Sequence, residues 1–199
     1  MKIIAVKLFE VKGNGKGLMV DESHAHPIDI YGDDMTNKIQ SPEIKQRVIS
    51  DIYVQVFTDS DISGLFGPID IDQAHVIRTH LRDLVIGMDP LTTEKLFDQM
   101  IRKHRHGRTG LYMTGVSALD CALWDLKGKA LGLPIYRILG GPVRVKIPVY
   151  ASMLGFSTEP EVAADTAREY KEKGYKAQKW FFRFGPIDGQ EGKARNMAM

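Results

Sequence analysis

Cysteine is almost missing from this chain. Cys121 is the single thiol among 199 residues, so no internal disulfide can brace the fold. Cohesion has to come from buried apolar side chains, and 43% of the residues are hydrophobic. Cys121 lies among apolar neighbours and reads as a small hydrophobe. One lone cysteine suits a reducing compartment, and the cytoplasm is the expected location.

An excess of either charge is also lacking. Lys and Arg number 27 and Asp and Glu 25, a formal charge of +2, which argues against nucleic acid as a partner. No apolar run is long enough to span a bilayer. Met1 to Val6 resembles the start of an export signal, but Lys7, Glu10 and Lys12 break it too early, so no membrane partner is expected. There is no internal repeat, no low-complexity tract and no Gly-x-Ser-x-Gly elbow. Gly13, Gly15 and Gly17 follow a strand pattern, but no helix opens behind them, so a dinucleotide site is unsupported.

What remains is a legible order of elements. Residues 2–12 and 52–58 alternate as strands, with a turn-rich break at 13–17 and a turn at 59–61. Residues 18–50 have no sustained periodicity, and residues 64–68 read as another loop. Residues 72–86 read as a helix with Ala74, Ile77, Leu81, Leu84 and Val85 inward. Asp89-Pro90 is expected to cap and open the next helix, to about His104. Arg102 to Arg108 is a basic cluster suited to a solvated helix end. Val116, Leu119, Leu123, Leu126 and Ala130 then mark one apolar helix face, stopped at Gly132 with Pro134 beyond it. Asp120 and Asp125 are five residues apart, fall on different faces, and read as structural.

From residue 145 the pattern changes. Residues 145–151 and 175–182 read as strands, separated by a helix over 158–173. That helix has a capping-box start, Thr158-Glu159-Pro160-Glu161, and a Gly174 stop. Strand, helix, strand implies a parallel βαβ unit. Residues 190–199 begin another helix. A closed (β/α)8 barrel takes roughly 250 residues, so the chain is expected to be part of a longer protein.

The ordered string from Val116-Ser117-Ala118-Leu119-Asp120 through Trp124-Asp125-Leu126-Lys127-Gly128 to Gly140-Gly141 resembles the domain junction of the enolase superfamily, mandelate racemase branch. Three further stretches are similar to its sugar-acid dehydratases, the rhamnonate dehydratases in particular. They are Gly110-Leu111-Tyr112-Met113-Thr114, His24-x-His26-Pro27, and Gly185-Pro186-Ile187-Asp188-Gly189-Gln190-Glu191-Gly192. The resemblance implies an α+β capping domain over residues 1–140, with junction helices. Over residues 141–199 it implies the first two strands of a (β/α) TIM-type barrel, incomplete in this chain.

It also implies a chemistry: removal of the proton α to a carboxylate, an enediolate held by Mg²⁺, and loss of water from a sugar acid. Fixed positive charge is what such a developing dianion requires. Lys179 stands where the branch carries the first lysine of a Lys-x-Lys pair, and is the candidate catalytic residue. Phe181 replaces the second lysine, and a phenyl ring cannot take a proton, which disfavours a two-base racemase or a cycloisomerase. His24 and His26 are candidate substrate-binding residues. The resemblance places the Mg²⁺ ligands and a His–Asp dyad beyond residue 199. This chain alone is therefore expected to be inactive, and a non-catalytic truncated member is a further alternative. Homo-oligomerisation is likewise what the resemblance implies.

Overall fold

A computed structural model describes residues 1–15 and 47–199. The chain divides into two compact units. Met1–Gly13 and Val48–Val145 make the first, and Lys146–Met199 carry the second.

The first unit is a three-stranded sheet covered by helices. Strands β1 (Ile3–Gly15), β2 (Arg47–Thr58) and β3 (Ser63–Ile69) lie in that order. The expected break at Gly13 does not interrupt β1, which continues through Gly15. Cross-strand pairing outweighs the weak strand preference of glycine. β2 and β3 are antiparallel, with Val54 opposite Phe66 and Val56 opposite Gly64. Val54 and Val56 are fully buried and Thr58 nearly so, the period-two signature of a sheet with one face on a core. In the hairpin, Thr58 Oγ1 donates to the Ile62 carbonyl at 2.7 Å.

Residues 64–68 are therefore strand rather than loop. Gly64 is the reason the sequence misleads. A methyl group there would collide with the Ala122 carbonyl and with Leu126, so a glycine sits in a strand because a helix passes close over it.

Asp70 caps the next helix. It accepts from the Gln73 amide at 2.7 Å, while Gln73 Oε1 accepts from the Asp70 amide at 2.9 Å. The run then passes from α1 (Ile71–Val76) through a π-helical turn (Ile77–Leu81) into α2 (Arg82–Val85). The Arg82 amide bonds back to the Ile77 carbonyl, five residues away, which advances the phase of the apolar face. Val85 is consequently fully buried, whereas Leu84 is only partly so.

Helix α3 (Thr93–Lys103) begins later than Asp89-Pro90 suggests. Asp89 instead closes a turn. Its carboxylate accepts from the Leu91 amide at 3.0 Å and its carbonyl from the Thr92 hydroxyl at 2.8 Å. Thr92 then occupies the cap position.

Helix α4 (Gly110–Leu131) is the centre of the core, with Val116, Leu119, Leu123 and Leu126 fully buried and Ala130 half-buried. Gly132 ends it in the left-handed region at φ 63°, and the Leu133 amide returns to the Gly128 carbonyl at 3.0 Å. Pro134 opens the short α5 (Ile135–Ile138).

The second unit contains a parallel pair, β4 (Ala151–Ser152) and β5 (Gln178–Lys179), joined through α6 (Pro160–Glu172). The βαβ reading holds, with Ala151 opposite Gln178 and Ser152 opposite Lys179. Both strands are much shorter than the patterns over 145–151 and 175–182 predict. Pro148 cannot donate to a ladder, and Val145, Ile147 and Val149 are exposed rather than packed. The capping box at Thr158 is also corrected. Pro160 holds the preceding residue extended, so Glu159 takes the cap position without a side-chain capping bond. Gly174 at φ 93° follows the helix, and α7 (Gly189–Ala198) comes after a short 3₁₀ turn, Pro186–Asp188.

Candidate functional site

Lys179 is the predicted catalytic residue that the structure describes. Its strand is fixed by the parallel pair: the Ala151 amide donates to the Ala177 carbonyl at 3.0 Å and the Met153 amide to the Lys179 carbonyl at 2.9 Å. Lys179 closes β5, so its side chain leaves from the C-terminal end of a parallel strand. That is where side chains of βα units carry chemistry. The ammonium lies 4.7 Å from the Phe181 ring centroid and 5.5 Å from that of Tyr150. Two aromatic faces hold the cation while leaving it exposed. Among the described residues Lys179 forms no salt bridge, and the two rings are its described contacts.

Phe181 is thus more than a missing lysine. It is part of the seat of Lys179. Around this seat, Trp180 Nε1 donates to Gln178 Oε1 at 3.0 Å, and Gln178 Nε2 donates to the Ala167 carbonyl of α6 at 2.7 Å. The strand that presents the cation is therefore tied to its own crossover helix.

His24 and His26 lie outside the described residues. Among the described residues no group of three or more His, Cys, Asp or Glu could hold a metal ion.

Asp125 and Asp120 do separate onto different faces of α4. Asp125 is structural: it accepts from the Leu65 amide at 2.8 Å and from Lys129 Nζ at 2.6 Å. Asp120 is less ordinary. Its Oδ1 is buried without a hydrogen-bond partner. Burial, and then the negative charge of Glu94 on α3, push its carboxyl up to about 6, against a smaller lowering from its bond with Trp124. Burial and the Asp120 charge likewise raise the Cys121 thiol, which is consistent with an unreactive cysteine. The sequence offered no sign of this perturbed carboxylate beyond an acid inside an apolar helix. In the basic stretch, Arg102 pairs with Asp98 at 2.8 Å in the last turns of α3, and the His104 ring lies 5.1 Å from that of Tyr112, tilted by 34°. No helix among the described residues is long and apolar enough to cross a membrane.

Residues 52–140 match the profile of the mandelate racemase / muconate lactonizing enzyme N-terminal domain. L-rhamnonate dehydratase of Saccharopolyspora erythraea is 31% identical over 99% of this chain and 49% of its own length. D-galactonate dehydratase of Variovorax paradoxus is 32% identical over 59% of this chain and 31% of its own. A solved enolase-superfamily member from Salmonella Typhimurium aligns with a TM-score of 0.62 and 31% identity, covering 75% of this chain and 47% of that one. The chain spans about half the length of the rhamnonate dehydratases it matches, 48% and 49%.

Proposed function

Because residues 52–140 match the mandelate racemase / muconate lactonizing enzyme N-terminal domain family, we propose that this chain supplies the capping domain and the opening βαβ unit of an acid-sugar dehydratase. The observation that carries the reading is the Lys179–Phe181 pair. It sets a cation at a parallel strand end with a phenyl ring, which cannot take a proton, beside it.

The reaction breaks the C–H bond α to the carboxylate, with the proton passing to a base. The hydroxyl on the β carbon then leaves and takes up a proton, so water is lost and the enol product becomes a 2-keto-3-deoxy acid. Lys179 would face the substrate carboxylate and favour the extra negative charge that develops on it. Its aromatic seat keeps the ammonium on one bearing without cancelling its charge. The base and the ligands for Mg²⁺, the cation such sites use to stabilise the enediolate, would have to come from residues outside this chain. The exposed Val145, Ile147 and Val149 fit a strand flanked by neighbours in a complete barrel. The 31% identity to a rhamnonate dehydratase and 32% to a galactonate dehydratase support an acid sugar as substrate class.

The test is a screen of acid sugars with Mg²⁺, using a polypeptide in which this chain continues to the length of its relatives. A 2-keto-3-deoxy product is the expected result. Exchange of the α-proton with the substrate otherwise retained would replace the dehydratase by a racemase.

A further inference from the structure

Strands β4 and β5 end side by side. Ser152, the last residue of β4, stands opposite Lys179, the last residue of β5, in the parallel register. The Ala151 amide bonds to the Ala177 carbonyl and the Met153 amide to the Lys179 carbonyl, so the backbone is extended through residues 151–153. Burial alternates along it: Ala151 and Met153 are buried, while Tyr150 and Ser152 are exposed.

The buried face is turned to α6. Gln178, the register partner of Ala151, donates from Nε2 to the Ala167 carbonyl of that helix at 2.7 Å. Tyr150, Ser152 and Lys179 therefore share the opposite face, and the 5.5 Å between the Lys179 ammonium and the Tyr150 ring agrees with this. Residues paired across neighbouring strands point the same way, and such strands lie about 4.8 Å apart. A hydroxyl on a short stem and an ammonium on a long one thus leave adjacent strand ends toward the same space.

A carboxylate presents two oxygens, each able to accept more than one hydrogen bond. The ammonium of Lys179 brings charge to that group as a compact point donor. A serine hydroxyl adds a neutral donor that rotates to suit its acceptor, and bonds to an ionised acceptor are the strong ones.

We propose that Ser152 is a substrate-binding residue whose hydroxyl donates to the carboxylate that Lys179 faces. The proposal rests on the role given to Lys179 above, and goes beyond it by naming a second donor to the same group.

The test uses the polypeptide continued to its relatives' length, with L-rhamnonate and D-galactonate as probes and calorimetry reading Kd. Ser152→Ala raises Kd for the acid that binds about tenfold, the scale of one hydrogen bond to a charged group, and lowers kcat/KM at least as much. Ser152→Thr keeps a hydroxyl and recovers most of both. Melting temperatures of the two variants stay within about 2 °C of the parent, because the position is exposed. In the Lys179→Met background, Ser152→Ala costs less than about threefold in Kd, since the two groups act on one carboxylate. An unchanged Kd for S152A, or the full tenfold cost repeated in that background, overturns the proposal. A rise in Kd that comes only with a lower melting temperature makes Ser152 structural and overturns it as well. An unsubstituted polypeptide that binds an acid sugar without dehydrating it sinks the dehydratase reading, and Kd still decides on Ser152. One that binds neither acid overturns both.

Discussion

The Asp125 carboxylate on α4 accepts the backbone amide of Leu65 on β3 at 2.8 Å. This side chain ties the central helix to the sheet, and Lys129 shares the same oxygen at 2.6 Å. Replacing Asp125 with Ala leaves a strand amide facing the helix without its acceptor. The expected loss is about 0.5–1.5 kcal/mol, the net worth of a hydrogen bond whose freed amide water can reach. Asp125→Asn keeps one acceptor and should lose less. Urea unfolding of both variants checks the order; equal stability of all three proteins would remove the tie from the list of what holds the sheet to the helix.

Asp120, on the other face of the same helix, works against the fold at neutral pH. Its carboxyl is raised to about 6 from an ordinary 3.8, so the folded state favours the protonated form. The associated stability is fully present below about pH 4 and is lost as pH rises through about 6. Asp120→Asn should therefore be more stable than the parent at pH 7.5, by about 1 kcal/mol once solvent screening is allowed for. The gain should shrink to near zero at pH 4. Thermal melts at the two pH values decide it, and a variant less stable at pH 7.5 would show that the charged form is wanted.

Gly64 makes a sharper case. A side chain there meets the Ala122 carbonyl and the Leu126 backbone, neither of which can swing aside. Gly64→Ala is expected to cost about 3 kcal/mol, toward the upper end of overpacking effects. Gly13, whose added methyl would meet nothing within 4 Å, is the control: Gly13→Ala should stay within about 0.5 kcal/mol.

These positions also show where the sequence was readable. The face of α4 followed from spacing alone, because Val116, Leu119, Leu123 and Leu126 recur at helical steps and are all fully buried. Its stop followed from Gly132, whose left-handed backbone any other residue resists. Gly64 was unreadable because its cause is a helix sixty residues away. The π turn was unreadable for a related reason: it adds one residue to a turn without altering composition, and of the two residues expected inward Val85 is fully buried and Leu84 only partly so. At the candidate site the parallel βαβ order was legible from element spacing, whereas Lys179 was singled out by the family resemblance and not by any spacing. The Tyr150 ring beside Lys179 comes from another part of the chain, which no local pattern encodes, while Phe181 is two residues further along the same segment.

Lys179 itself separates stability from activity. An exposed cation over aromatic rings contributes about 0.5–1 kcal/mol, so Lys179→Met, which keeps the length and drops the charge, should shift the melting temperature of the chain by only a few degrees. The catalytic role asks much more of the same ammonium. If it stabilises charge that grows on the substrate carboxylate, its removal should lower kcat/KM for the acid sugar about 100-fold in the polypeptide continued to its relatives' length, the scale of losing one preorganised charge-stabilising group. Lys179→Arg keeps the charge but replaces a compact ammonium with a planar fork, so it should recover only part of that loss. A Met variant that turns over normally would leave Lys179 as a strand-end cation seated on two rings, with no part in the chemistry.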